Sequence, residues 1–196
     1  MNKKSEIGQH INEIQHAIVV AGLNYDIWWT YKVKKYRAML LDADGTYPLF
    51  FKTSLHAHFV AMIVALYRLF ETRTDTVNFN QLVILIEQNN QLSGTEINGL
   101  KKRISNLNPL WIKIGILRNK IFAHATNQSI NPWQEAKMTG NDLKKMIRRC
   151  QILLNLVSSR WDRSSYVFNL SAKTDTRNLL KDLRKLNVIG QRARSN

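Results

Sequence analysis

The sequence predicts an all-α protein, a bundle of six or seven helices. Three observations predict it. Glycine and proline are scarce, 8 and 3 among 196 residues. Apolar residues recur mostly at helical spacing. No segment sustains a period-two alternation. The β-branched cluster "VNFNQLVILIE" is the one stretch that a strand could use, and helix is preferred there.

The elements follow in order. Ser5 opens a segment in which Ile7, Ile11, Ile14 and Ile18 step along one helical face. Helix is expected to resume after Gly22 through "LNYDIWWTYKVKKYRAMLL". "DADGTYP", at Asp42–Pro48, reads as a loop from its Asp-Gly and its proline. Leu49 to Glu71 is apolar on nearly every side, which predicts the central and most buried helix.

Asn78 or Asn80 can cap a short helix, "QLVILIEQN". Ser93 and Glu96 are placed as a capping box for "QLSGTEINGLKKRIS". Asn108-Pro109 is a helix entry, followed by "PLWIKIGILRNKIFAHA" and the loop "TNQSINPW". A long amphipathic helix is expected from about Asn141 to Trp161. Its apolar face includes Leu143, Met146, Ile147, Leu153, Leu154 and Val157. Its other face carries Lys144, Lys145, Arg148 and Arg149. A short helix, "DTRNLLKDLRKL", then leads to a frayed basic tail over about 188–196. No repeat or linker divides the chain, so a single domain is expected over residues 1–196.

No apolar run reaches the ~18–20 residues of a bilayer crossing. The N-terminus "MNKKSEIGQH" has no apolar stretch of signal-peptide type. A cytoplasmic protein without a membrane partner is expected. The single Cys150 excludes an intramolecular disulfide and a cysteine-based zinc site.

Charge is the strongest compositional signal. Lys+Arg number 29 against 14 Asp+Glu, a net of +15. From Gly140 to Asn196 there are 13 Lys/Arg against four Asp/Glu, a net of +9. Such a surface attracts polyanions through counterion release. A solvated basic face that only confers solubility has the same composition.

Few residues suggest chemistry. His56 and His58 form an H-x-H on a helix, where residues two apart diverge, and no acid or cysteine lies nearby in sequence to complete a metal site. No metal and no cofactor are expected. Arg148 and Arg149 could lower the pKa of Cys150, although a small core residue explains it as well. Trp28-Trp29 could stack bases or fill a core.

Arg118, Asn119 and His124 stand out in "LRNKIFAHA". Arginine reads phosphate through a bidentate fork, and histidine titrates near neutrality. On an ideal helix, six residues at about 100° each put the two side chains roughly 120° apart. They converge only if the helix ends near His124 or a second chain completes the site.

"RNKIFAH" resembles the signature of the HEPN superfamily: arginine, a polar residue, a short mostly apolar spacer, then histidine. "LRNKIFAHAT" is most similar to the AbiU-type abortive-infection branch. The resemblance implies a HEPN-like helical bundle and a metal-independent endoribonuclease of phage defence or toxin–antitoxin systems. It implies a homodimer with both motifs facing one cleft, and often a nucleotidyltransferase antitoxin. That antitoxin modifies a tyrosine two residues after the histidine, where this chain has Thr126.

The residue chemistry agrees. Cleavage by the 2′-OH needs a base, an acid and a positive charge on the phosphorane. His124 is assigned to proton transfer, Arg118 to the phosphorane, and Asn119 to orienting the phosphate or the imidazole. Lys120, Lys144, Lys145, Arg148 and Arg149 are the RNA-binding candidates. Two alternatives are a non-catalytic RNA- or nucleotide-binding HEPN module and a structural partner domain of a toxin–antitoxin pair.

Overall fold

The computed structural model describes residues 3–90, 92–122 and 131–195. These form nine α-helices and one short 3-10 turn, with no strand among the described residues. The helices are α1 (Lys3–Lys32), α2 (Arg37–Thr46), α3 (Pro48–Arg68), α4 (Phe79–Gln88), α5 (Gly94–Ser105), α6 (Asn108–Phe122), α7 (Pro132–Ala136), α8 (Gly140–Trp161) and α9 (Lys173–Ser195). The all-α expectation holds, with more helices than the six or seven predicted.

Several local expectations are confirmed. Ile7, Ile11, Ile14 and Ile18 are all buried. Asn78 caps α4, its side chain accepting from the Gln81 N–H at 2.9 Å. Its own amide donates to the Arg73 and Thr76 carbonyls, so this buried side chain is satisfied. Ser93 and Glu96 form the predicted capping box.

Other expectations are corrected. Helix α1 runs through Gly22 without a break, because a glycine with open space around it costs a helix only about 1 kcal/mol. The break comes at Val33, before the 3-10 turn Lys34–Tyr36. Asp-Gly at 44–45 is not a loop but the last turns of α2, which packs against α9. The turn shrinks to Tyr47, and Pro48 opens α3, where its missing N–H costs nothing. Helix α9 continues to Ser195, so the frayed tail is also corrected. "QRARS" contains no proline and no β-branched residue to stop it.

Helix α3 is not the most buried helix. Leu49 and Phe50 are 78% and 60% exposed, while Phe51, Met62, Ile63 and Leu66 are buried. An all-round apolar helix has no sequence signal for which face is covered. Helix α8 is more deeply seated, with Leu143, Met146, Ile147, Cys150, Leu153, Leu154, Val157, Ser158 and Trp161 buried. By length and composition α3 could also cross a membrane, contrary to the expectation that no segment could, and it is the one such helix among the described residues.

The chain divides into two compact units. The first comprises residues 1–21 and 63–169. Its core takes Ile7, Ile11, Ile14 and Ile18 of α1, Phe79, Leu82, Val83 and Ile86 of α4, Ile97, Leu100 and Ile104 of α5, Ile114 and Leu117 of α6, and the buried stripe of α8. Within it α4 packs on α5, α5 on α8 and α6 on α7.

The second unit comprises residues 22–62 and 170–196. Its core gathers Tyr31, Phe51 and Leu180, with Ile27, Tyr36, Met39, Leu40, Leu55 and Leu183 packed around them. Asp26 is buried there, accepting from the Ser171 hydroxyl at 2.6 Å and pairing with Lys173 at 3.3 Å. Those contacts fix the start of α9, since a buried carboxylate is costly without partners. Burial, and then the Asp26 charge, push the neighbouring Tyr25 up to about 12.

Candidate active site

The site is built on α6, in the first unit. Ile114 and Leu117 anchor this helix in the core. Beside that stripe, Trp111, Gly115 and Arg118 follow at spacings of four and three residues, so they share a face. This second stripe meets Tyr67, near the end of α3. The Trp111 and Tyr67 rings stack with centroids 5.5 Å apart. The Trp111 indole N–H donates to the Tyr67 carbonyl at 3.1 Å. The guanidinium carbon of Arg118 lies 4.6 Å from the centroid of the same Tyr67 ring.

Gly115 leaves this approach clear of any side chain, although a methyl group would still fit. A Cβ added there would stand 3.4 Å from Cε2 of Tyr67, so the ring rests against the bare helix surface. The half-buried Arg118 also donates from Nη1 to Oδ1 of the exposed Asn119, at 3.2 Å. An arginine held over a ring and tied to an amide keeps its charge and loses rotamer freedom. Such a guanidinium is chemically able to donate to an anion.

Helix α7 is fastened to α6 by two lysines about two turns apart. Lys113 donates to the Lys137 carbonyl at 2.8 Å, and Lys120 pairs with Glu135 at 3.2 Å. The Lys137 carbonyl belongs to the left-handed residue that caps α7. Asn131 caps its start, accepting from the Trp133 N–H at 3.0 Å. Lys120, a predicted RNA contact, therefore also has a structural partner. His124 and Thr126 lie outside the described residues, as do their neighbours from 123 to 130.

Lys144, Lys145, Arg148 and Arg149 are exposed on α8, on the face away from its buried stripe. Lys145 reaches Asp142 at 3.8 Å. Arg149 lines a cleft of about 510 Å³ with Arg103 and Asn106 of the α5 end, over Leu107, Ile152 and Leu153. Two arginines beside aliphatic side chains offer both charge and planar guanidinium faces.

The remaining candidates take structural places. Cys150 is fully buried, and burial pushes its thiol far up, so it is a core residue rather than a nucleophile. Trp28 is buried and stacks on Phe59, with centroids 5.6 Å apart. His58 meets Oδ1 of Asn24 at 2.7 Å, and burial lowers its pKa. Among the described residues no three His, Cys, Asp or Glu side chains cluster to hold a metal.

Tyr67, Trp111, Gly115 and Arg103 escape a reading of the sequence alone. The spacing of Trp111, Gly115 and Arg118 is visible there as one helical face. Nothing in the sequence places Tyr67 upon it.

Residues 4–181 match the family model of AbiU2, a HEPN family. The chain belongs to the AbiU2 family of HEPN proteins. The match takes in α6 with Arg118 and Asn119, the stretch that holds His124, and the basic face of α8, and it ends within α9. No curated protein and no solved structure matches the chain significantly. The AbiU2 assignment thus rests on the family match, and the all-helical fold fits it.

Proposed function

We propose that this AbiU2-family HEPN protein is a metal-independent endoribonuclease, acting in phage defence or as a toxin. The observation that carries the reading is the setting of Arg118, held over the Tyr67 ring and bonded to Asn119, six residues ahead of His124. The motif supplies the charge for a phosphorane and the group for proton transfer.

The reaction balances without a cofactor. The 2′-oxygen of the RNA attacks phosphorus, and one imidazole accepts its proton. The bond from phosphorus to the 5′-oxygen breaks, and a second, protonated imidazole supplies the proton to that oxygen. The products are a 2′,3′-cyclic phosphate and a 5′-hydroxyl. Each motif has one histidine, so the acid and base come from two chains. A two-fold homodimer, the commonest closed oligomer, brings both copies of His124 to one cleft. Asn119 orients Arg118, and Lys120, Lys144, Lys145, Arg148 and Arg149 hold the RNA backbone.

A nucleotidyltransferase-type antitoxin is the proposed protein partner. Thr126 in place of the tyrosine argues against control by AMPylation. The proposed location is the cytoplasm. Lys52 and the Asn24-bonded His58 on α3 favour it, because ionisable groups are costly within a bilayer.

A second reading, a non-catalytic RNA-binding module, is favoured by one observation. The exposed α8 cations and the Arg103–Arg149 cleft would bind RNA without any motif. Paired substrates decide between them. A structured RNA and the same strand with a single 2′-deoxy nucleotide at the cleavage position are incubated with excess chelator. Cleavage of the first alone supports the enzyme. Binding of both with cleavage of neither, at any protein concentration, supports the module.

A further inference from the structure

The second unit carries a groove that the ribonuclease reading does not use. It has a volume of about 500 Å³ and lies between Met39 of α2 and Lys181, Arg184, Lys185, Val188 and Ile189 of α9. Its floor is apolar, and its α9 side is edged with cations.

Helix α9 has two distinct faces here. Thr176, Leu180 and Leu183 turn inward to the core of this unit. Lys181, Lys185 and Val188 follow at spacings of four and three on a neighbouring face, with Ile189 beside them. Val188 is 42% exposed and Ile189 62%. Two adjacent aliphatic side chains left open beside Met39 form an apolar patch apart from the buried stripe of this helix. Lys185 has one local acidic partner, Asp182 at 3.1 Å, in an exposed pair of small worth. From Lys173 to Ile189 the helix holds five Lys/Arg against two Asp, so the wall is net basic.

We propose that this groove docks an acidic amphipathic helix of a partner protein. The floor accepts a ridge of aliphatic side chains, as in helix-in-groove recognition. The lysines select glutamates or aspartates flanking that ridge, which sets orientation and speeds encounter. A second copy of this chain fits less well at this groove, because a two-fold contact here would set one basic α9 rim against another. An anionic lipid surface is the rival occupant, and the vesicle measurement below separates it from a partner helix.

The probe is a fluorescein-labelled synthetic helix with leucines at i, i+3, i+4 and i+7 and glutamates elsewhere. Its binding to the full-length protein is followed by fluorescence anisotropy across a salt series. A matched peptide with alanines in place of leucines should bind at least tenfold more weakly. Val188→Asp with Ile189→Asp should weaken the leucine peptide tenfold or more. Lys181→Glu with Lys185→Glu should weaken it and flatten the salt dependence. These side chains are exposed, and circular dichroism checks that each variant folds. Equal binding of the two peptides would overturn the proposal, as would binding indifferent to both double variants. So would self-association, or association with phosphatidylserine vesicles, that Val188→Asp with Ile189→Asp abolishes while peptide binding persists. Arg118 and His124 play no part in these readouts, so loss of the ribonuclease reading leaves this test intact.

Discussion

The guanidinium of Arg118 rests 4.6 Å from the centre of the Tyr67 ring, across 51 residues of sequence. That contact ties the motif arginine on α6 to the end of α3. It makes Tyr67 a positioning residue for the proposed reaction, acting through Arg118 rather than on RNA. Tyr67→Ala should therefore lower kcat more than it raises KM. A cation–π contact of about 1–2 kcal/mol corresponds to roughly five- to thirtyfold in rate. Tyr67→Phe keeps the ring and should keep most of the rate. Single-turnover cleavage by the two variants checks this, and equal losses in both would refute the positioning role.

Gly115 makes a prediction of opposite sign for two substitutions. A Cβ there lies at ordinary contact distance from Tyr67, so Gly115→Ala should fit. It should stabilise the protein by up to ~1 kcal/mol through helix propensity. Gly115→Leu has no room beyond that Cβ and must displace the ring from Arg118. It should lose activity to about the level of Tyr67→Ala. Urea midpoints and cleavage rates read the two effects separately.

The two capping boxes predict a stability loss in acid. The Ser93 backbone N–H and hydroxyl hold the Glu96 carboxyl below its usual range. The Thr139 hydroxyl, and then its backbone N–H, do the same for Asp142. A carboxylate with a lowered folded-state pKa contributes fully above its ordinary value near 4. The contribution disappears as pH falls through the lowered value. Between pH 7 and pH 3, a Glu96→Gln/Asp142→Asn variant should lose less stability than wild type in urea titrations. At pH 7, Thr139→Ala should cost about 1 kcal/mol through the α8 cap.

The basic face of α8 predicts a salt signature. Replacing Lys144 and Arg148 by Gln should weaken binding similarly for unrelated RNA sequences. Removing one cation from a phosphate should reduce the slope of log K against log salt by about 0.7 for single strands. Arg103→Gln, at the cleft shared with Arg149, should act in the same direction. Filter binding at several salt concentrations measures all three, and an unchanged slope would remove this face from the RNA path.

Local rules made much of the fold legible. The isoleucine ladder of α1, the Asn78 cap, the Ser93–Glu96 box and the Pro109 entry each depend on residues within one or two turns. Arg118 and Asn119 on α6 were singled out differently, by the resemblance of "RNKIFAH" to the HEPN signature rather than by a local rule. Gly22 and Asp44-Gly45 misled because they state a local cost of about 1 kcal/mol that packing outweighs. The α2–α9 contact that retains Gly45 in a helix is far apart in sequence. The burial of α3 was unreadable for a related reason: apolar residues on every side name no face. Tyr67 was invisible because its role comes from meeting Trp111 and Arg118, 44 and 51 residues further along.

The central claim is that the Arg118–His124 motif cleaves RNA without a metal. The most direct measurement is cleavage of a 5′-labelled structured RNA in excess chelator by wild type, His124→Ala and Arg118→Ala. Wild type should leave fragments ending in a 2′,3′-cyclic phosphate, while both variants lose activity by orders of magnitude. Degradation by His124→Ala at the wild-type rate would contradict the account.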